Sequence, residues 1–113
     1  MAYRIDRLNS IIREQLSLIL QREFEFPRDV MVTVLEVRTS GDTMFASARI
    51  SVLPNKKEKF ILEKLNRSIG MIQKMLNKRL IMKFVPRISF VIDKTTEKID
   101  HFEGMLKSIE KER

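Results

Sequence analysis

The spacing of the hydrophobic residues changes four times along this chain, and each change restricts the possible fold. Up to Arg22, apolar residues recur every three or four positions, which predicts an amphipathic helix; they are Ile5, Leu8, Ile12, Leu16, Ile19 and Leu20. Residues 30–37 are mostly β-branched, and in residues 45–53 every second residue is small or apolar, so both segments are predicted strands. Between them Gly41 lies in a turn-forming sequence and can adopt positive φ, which predicts an antiparallel hairpin.

Helical spacing resumes after the second predicted strand. Asn55, with Glu58 three residues later, is expected to cap the start of a helix. Apolar residues then follow at helical spacing, but Gly70 interrupts them. Because a glycine costs about 1 kcal/mol relative to alanine inside a helix, we predict two helical halves with a kink between them.

The last third of the chain predicts a third strand and a final helix. Residues 88–92 alternate after Pro86, and residues 93–96 are rich in helix-capping residues. The final helix carries Ile99, Phe102, Leu106 and Ile109 on one side. The order α-β-β-α-kink-α-β-α in 113 residues predicts one α+β domain. We expect the third strand to lie parallel to the first in a mixed sheet covered on one face by helices.

The excess positive charge is confined to residues 55–83, which we call the basic segment. It holds nine basic and two acidic residues, whereas the rest of the chain holds thirteen of each, so it accounts for the whole net charge of +7. Lysines on a helix most often form only its solvated face. Here few acidic residues separate them, and this concentration indicates a surface for a polyanion, with nucleic acid favoured over an acidic protein or a membrane.

Helical spacing identifies the cations that face outward. Lys56, Lys64 and Arg67 lie opposite the apolar stripe, and Lys74 and Lys78 lie four residues apart on the outer side of the second half. Arg79 instead falls near the apolar stripe and is expected to be a structural ion-pair partner.

The composition predicts no catalytic residue, no metal site and no cofactor. Without cysteine there is no disulfide, thiolate site or cysteine nucleophile, and a cytoplasmic location is expected. His101 is the only histidine, and Asp93, Glu97 and Asp100 are better explained as favourable charges at a helix start. No apolar run approaches the roughly 20 residues of a membrane span, and no signal peptide is recognised.

The aromatic residues predict little contact with bases. Seven Phe, one Tyr and no Trp are present, and phenylalanine is more often a core residue than a stacking platform. Phe90 and Phe102 fit buried stripes, which leaves Phe45 as the candidate for base stacking.

Several segments, spread over nearly the whole chain, occur in the order and spacing of a known family. They are residues 21–28, 32–37, 40–42, 46–53, 68–70, 79–80 and 86–90, followed by Asp93. Together they resemble the bacterial ribosome-binding factor A family, one-domain relatives of the type II KH fold. Ser68 replaces the family's usual alanine and keeps a small residue at the kink, whereas Arg87 stands where glutamate is common.

This resemblance implies a single KH type II-like domain over residues 1–113 that acts without catalysis. It implies binding to the immature 30S small ribosomal subunit and its 16S rRNA, late maturation including processing of the rRNA 5′ end, and growth in the cold. A KH domain clamps about four nucleotides through a GxxG loop, which this chain lacks, so we expect phosphate contacts instead of base reading. The RNA-binding candidates are Lys56, Lys64, Arg67, Ser68, Gly70, Lys74 and Lys78, with Gly70 setting the angle between the two halves.

Two other functions remain open on the sequence alone. The chain could be a KH-like module for another RNA, or a protein-interaction module whose basic face binds an acidic partner. In each case we expect a monomer that binds neither a small-molecule substrate nor a membrane.

Overall fold

The computed structural model describes residues 2–94, with side chains described from residue 4 onward. The elements are α1 (Ala2–Glu23), β1 (Met31–Thr39), β2 (Phe45–Leu53), a 3₁₀ turn (Asn55–Lys57), α2 (Glu58–Arg67), α3 (Ile69–Arg79) and β3 (Arg87–Ile92). This order confirms the predicted α-β-β-α-kink-α-β arrangement and the α+β class. The predicted final helix, with its four apolar residues and His101, lies outside the described residues.

The three strands form one mixed sheet with β2 in the centre. β2 pairs antiparallel with β1, where Val34 lies opposite Ile50, and parallel with β3, where Ala48 lies opposite Phe90. β3 therefore runs antiparallel to β1, and the expectation of a third strand parallel to the first is wrong. The helical connection leaves from the end of β2, and such a crossover returns the chain parallel to the strand it left.

A bulge in β1 changes which of its residues face the core. The register shifts between Val34 and Glu36, so Val34 and Val37 are both buried although they are three positions apart. Leu35 is left partly exposed at the bulge, and Glu36 pairs with Arg49 across the strands, with 2.7 Å between Oε2 and Nη2.

The hydrophobic core lies between the helices and one face of the sheet. The residues predicted to alternate in β2, which are Ala46, Ala48, Ile50 and Val52, are all buried. They form one cluster with buried residues of the three helices, which include Ile12, Leu16, Ile19, Ile61, Leu65, Ile72 and Leu76. The helices therefore cover one face of the sheet, as predicted.

The turn between β1 and β2 has its left-handed residue at an unexpected position. Thr43 adopts φ 59°, whereas Gly41 has no positive φ, so the role assigned to Gly41 is wrong. The amide of Thr43 donates to the Ser40 carbonyl at 2.9 Å, which closes a β-turn in which Gly41 occupies an ordinary position. The left-handed residue follows this turn and leads into β2.

The start of the helical connection also differs from expectation. Asn55 is the first residue of the 3₁₀ turn. The N-cap of that turn is Pro54, with φ −72° and ψ 154°. Proline already has the extended geometry that an N-cap requires, so the helical turn begins one residue earlier than the Asn55 cap predicted. α2 then begins at Glu58 without a side-chain cap.

Candidate nucleic-acid interface

The two helices of the basic segment meet at a one-residue break. Ser68 is both the C-cap residue of α2 and the N-cap residue of α3, with φ −103° and ψ 10°. Its amide donates to the Leu65 carbonyl at 3.1 Å, and its carbonyl accepts from the Ile72 amide at 3.0 Å. The predicted kink is therefore present, and the backbone of Ser68 forms it.

Gly70 does not set the angle between the helices. It lies inside α3 with no positive φ, and a Cβ built on it would meet no described atom within 4 Å apart from its chain neighbours and the backbone of its own helix. The break falls two residues earlier because Ser68 tolerates a conformation outside the helical region without a glycine. What Gly70 provides is an exposed, side-chain-free position in the first turn of α3, where no side chain caps the helix.

Four predicted RNA-binding cations are exposed and unpaired with carboxylates. Within residues 4–94, no ion pair involves Lys56, Arg67, Lys74 or Lys78. Lys56 precedes α2, Arg67 ends it, and the other two follow along α3. Among the described residues, the outer side of the two helices therefore carries a run of exposed cations that form no ion pair.

Lys64, the fifth predicted cation, makes an intramolecular contact. Its Nζ donates a 2.7 Å hydrogen bond to the Glu25 carbonyl and lies 5.7 Å from the centroid of the Phe26 ring. The side chain therefore joins α2 to the connection between α1 and β1. An ammonium has three donors, so the position is compatible with a further anion contact.

Two other polar residues hold α3 in place. Gln73 accepts a hydrogen bond from the Ile88 amide at 2.9 Å, and its own amide donates to the Pro86 carbonyl at 3.1 Å, which fixes α3 against β3. Arg79 donates to the side-chain oxygen of Gln15 at 3.3 Å, so within the described residues its structural partner is an amide and not the expected carboxylate.

Sequence reasoning missed an aromatic residue on the basic face. Phe60 is 47% exposed in α2, and helical spacing places it on the side that carries Arg67, seven residues later. The neighbouring Ile61 is completely buried. The local sequence does not show which of two adjacent apolar residues in a helix faces outward. The spacing does, because Ile61 lies four residues before Leu65 and so belongs to the apolar stripe, whereas Phe60 does not.

Residues 2–94 contain no group of three carboxylate or histidine side chains arranged to hold a metal ion. Asp93 is buried, and its Oδ1 lies 3.7 Å from Nε of Arg49, so the two residues form an ion pair. Among the helices described here, none is long and apolar enough to span a membrane.

This fold and its basic two-helix face define a small KH-like α+β domain. A sequence model of the family "Ribosome-binding factor A" matches residues 4–106, and the chain belongs to this family. It is 31% identical over 111 residues to ribosome-binding factor A of Akkermansia muciniphila, with 98% of this chain and 88% of the relative covered. It is 33% identical over 112 residues to that of Finegoldia magna, with 96% and 93% covered.

Solved structures of the same family share the fold. The solution structure of a putative ribosome-binding factor A from Thermotoga maritima has a TM-score of 0.70 and 31% identity, with 80% of this chain and 88% of that one covered. A Thermus thermophilus homology model, fitted into a cryo-electron microscopy map of a complex between the 30S subunit and ribosome-binding factor A, has a TM-score of 0.69 at 26% identity, covering 80% and 96%.

Proposed function

We propose that this protein binds the immature 30S subunit through 16S rRNA and promotes its late maturation, including processing of the rRNA 5′ end. The observation that carries the proposal is the run of exposed cations on and beside α2 and α3, which form no ion pair within the described residues, in a chain of the ribosome-binding factor A family. The Thermus thermophilus homology model supports the same partner, because it was fitted into a cryo-electron microscopy map of a complex between the 30S subunit and ribosome-binding factor A.

Binding by this surface depends on phosphate contacts. Lys56, Arg67, Lys74 and Lys78 are placed to neutralise phosphates, and Lys64 adds a donor beside the α1–β1 connection. At Ser68 and Gly70 the uncapped start of α3 lets a phosphate approach the backbone closely. Folded rRNA presents many phosphates on one surface, so shape and charge give recognition without the base reading of a GxxG loop.

Other properties follow from this assignment. The protein acts as a monomer in the cytoplasm, requires no cofactor or small-molecule substrate, and supports growth in the cold. It acts by binding and not by catalysis, so its effect on rRNA processing is exerted through the conformation of the precursor subunit.

The test is a sucrose-gradient profile of tagged protein in a cell lysate at low and high salt. We expect co-migration with free small subunits at low salt, loss of that co-migration at high salt, and little protein in translating ribosomes. The variant Lys74→Glu/Lys78→Glu should weaken co-migration without unfolding the domain. A matched control, Arg4→Glu/Arg7→Glu, makes the same charge change at exposed positions of α1 and should retain it.

Unchanged co-migration of the Lys74→Glu/Lys78→Glu variant would exclude α3 as the binding surface. Migration of the wild-type protein with another RNA, or retention by an acidic protein after ribonuclease treatment, would replace the small subunit as its partner.

A further inference from the structure

An apolar cleft lies where the β1–β2 turn meets the loop that follows α3. It has a volume of about 580 Å³, and its lining includes Asp42, Met44, Phe45, Phe84, Val85 and Arg87. The cleft is at the end of α3 opposite the Ser68 break. The eleven residues of α3, a length of roughly 16 Å at about 1.5 Å per residue, lie between the break and the loop that contributes to the cleft.

The apolar side chains of this cleft are unusually exposed. Phe84 is 75% exposed, Met44 62% and Phe45 53%. Single exposed apolar residues need no explanation, but several in one concave site indicate a surface that binds something. Two phenylalanine rings at one cleft provide the flat apolar surface that stacking requires.

Hydrogen bonds hold the two sides of the cleft in a fixed relation. The Arg87 amide donates to the Met44 carbonyl at 2.9 Å, which joins the start of β3 to the turn. The Ser40 amide donates to the Phe45 carbonyl at 2.7 Å, and the Phe45 amide donates to the Ser40 hydroxyl at 3.0 Å. Because these backbone positions are fixed before a ligand arrives, binding needs little reorganisation.

The polar groups around the cleft favour an anionic ligand with an aromatic part. The Lys83 ammonium lies 5.6 Å from the centroid of the Phe84 ring, and the exposed Arg87 also lines the cleft. Asp42 is the one carboxylate among the described residues that line the cleft, and its Oδ1 accepts hydrogen bonds from the Ser40 hydroxyl at 2.6 Å and the Met44 amide at 3.0 Å, which engage it within the turn.

We propose that this cleft binds one unpaired nucleotide of RNA, with its base stacked against Phe45 and Phe84 and its flanking phosphates beside Lys83 and Arg87. The proposal rests on the proposed function and adds a base-contacting position to a surface that otherwise contacts phosphates. An unpaired base is required because the bases of a duplex are already stacked on each other. Stacking is tolerant of sequence, since every base has an aromatic face.

The chain contains no tryptophan, so Phe84→Trp introduces a single tryptophan, in the cleft, whose fluorescence can be excited selectively over that of Tyr3. We would titrate this variant with a uridine octamer and with an octamer of the same backbone that lacks bases. The uridine octamer should quench the tryptophan, and the base-free octamer should not. In a separate binding assay, Phe45→Ala/Phe84→Ala should weaken uridine-octamer binding by roughly 10- to 100-fold and leave base-free binding unchanged. Both side chains are exposed, and circular dichroism would confirm that the variants fold.

Three results would overturn the stacking site. The first is equal affinity of the wild-type protein for both octamers. The second is protection of the tryptophan from acrylamide quenching in the free protein, which would show that another part of the chain covers it. The third is loss of small-subunit binding in the double alanine variant with unchanged octamer binding, which would indicate a protein contact. If wild-type protein co-migrates with the small subunit while the octamers bind equally, the proposed function stands and the stacking site fails. If the octamers show stacking but no co-migration occurs, the ribosomal target fails and the stacking site stands.

Discussion

The ammonium group of Lys64 donates a hydrogen bond to the main-chain carbonyl of Glu25, a residue 39 positions earlier in the chain, at a distance of 2.7 Å. The same ammonium lies 5.7 Å from the Phe26 ring. One cation of the basic segment therefore stabilises the fold directly, whereas Lys74 and Lys78 project from α3 without a carboxylate partner among the described residues.

Replacement of Lys64 should consequently reduce stability. Lys64→Met keeps the apolar part of the side chain and removes the donor, and we expect the free energy of unfolding to fall by about 1 kcal/mol, from the lost hydrogen bond and cation–π contact. Urea denaturation measures this change. The matched variant Lys78→Met should lie within about 0.5 kcal/mol of the wild type, because exposed side chains away from structural contacts change stability little. Equal destabilisation by both variants would show that the contacts of Lys64 with Glu25 and Phe26 do not stabilise the fold.

The salt dependence of RNA binding should reflect the number of exposed cations that contact phosphates. If Lys56, Arg67, Lys74 and Lys78 each neutralise one phosphate, the logarithm of the binding constant should fall with the logarithm of salt concentration with a slope of about −3 to −4. Removing two charges with Lys74→Gln/Lys78→Gln should reduce the magnitude of that slope by about 1.5. Fluorescence anisotropy with an rRNA fragment measures both slopes. An unchanged slope in the double variant would show that these lysines make no phosphate contact.

Periodicity predicted every described helix and strand but not the long-range contacts. Helical spacing placed Lys64 outside the apolar stripe, and only the path of the chain after α1 brings the Glu25 carbonyl to it. The Gln73 bonds to β3 likewise depend on where β3 pairs, which no local pattern encodes. Residues whose role is set by a partner distant in sequence are therefore the ones that sequence reasoning assigned incompletely.

Local patterns failed where the backbone departs from regular geometry. The bulge in β1 places Val34 and Val37 on one face, although strict alternation would separate them. The helix break is at Ser68, although a glycine stands two residues later. The exposed rings of Phe60 and Phe84 show the same limitation, because composition favours a buried phenylalanine and only the packed structure reveals which ring remains outside.

Substitution of Gly70 by alanine should have opposite effects on stability and on binding to small subunits. A Cβ at this position meets no described atom within 4 Å beyond its chain neighbours and its own helix backbone, so Gly70→Ala should stabilise the protein by up to about 1 kcal/mol through higher helix propensity. The same methyl group stands on the exposed first turn of α3, where we propose that a phosphate approaches, and should weaken binding to small subunits. Thermal unfolding and gradient co-migration measure the two effects. A stabilised variant with full binding would show that RNA does not approach the start of α3.

The turn between β1 and β2 carries a residue in an unfavourable conformation. Thr43 has φ 59°, which is poorly tolerated by a β-branched side chain, so Thr43→Gly should raise the free energy of unfolding by about 1 kcal/mol. Gly41 has no positive φ and open space at its Cβ, so Gly41→Ala should also be tolerated, with a gain of roughly 0.4–1 kcal/mol. Chemical denaturation measures both. Destabilisation by Gly41→Ala together with no gain from Thr43→Gly would place the left-handed residue at position 41.

The same turn should make stability depend on pH through Asp42. Hydrogen bonds donated by the Ser40 hydroxyl and the Met44 amide lower the pKa of Asp42 from its ordinary value of 3.8. A carboxylate with a lowered pKa stabilises the folded state above its ordinary pKa, and that stabilisation is lost as the pH falls through the lowered value. Wild-type protein should therefore melt at a higher temperature than Asp42→Asn at about pH 7, and the difference should shrink below pH 3.8. The control Asp29→Asn removes an exposed carboxylate without touching the turn and should change the melting temperature little at any pH. A difference between wild type and Asp42→Asn that is constant with pH would show that the charge of Asp42 does not hold the turn.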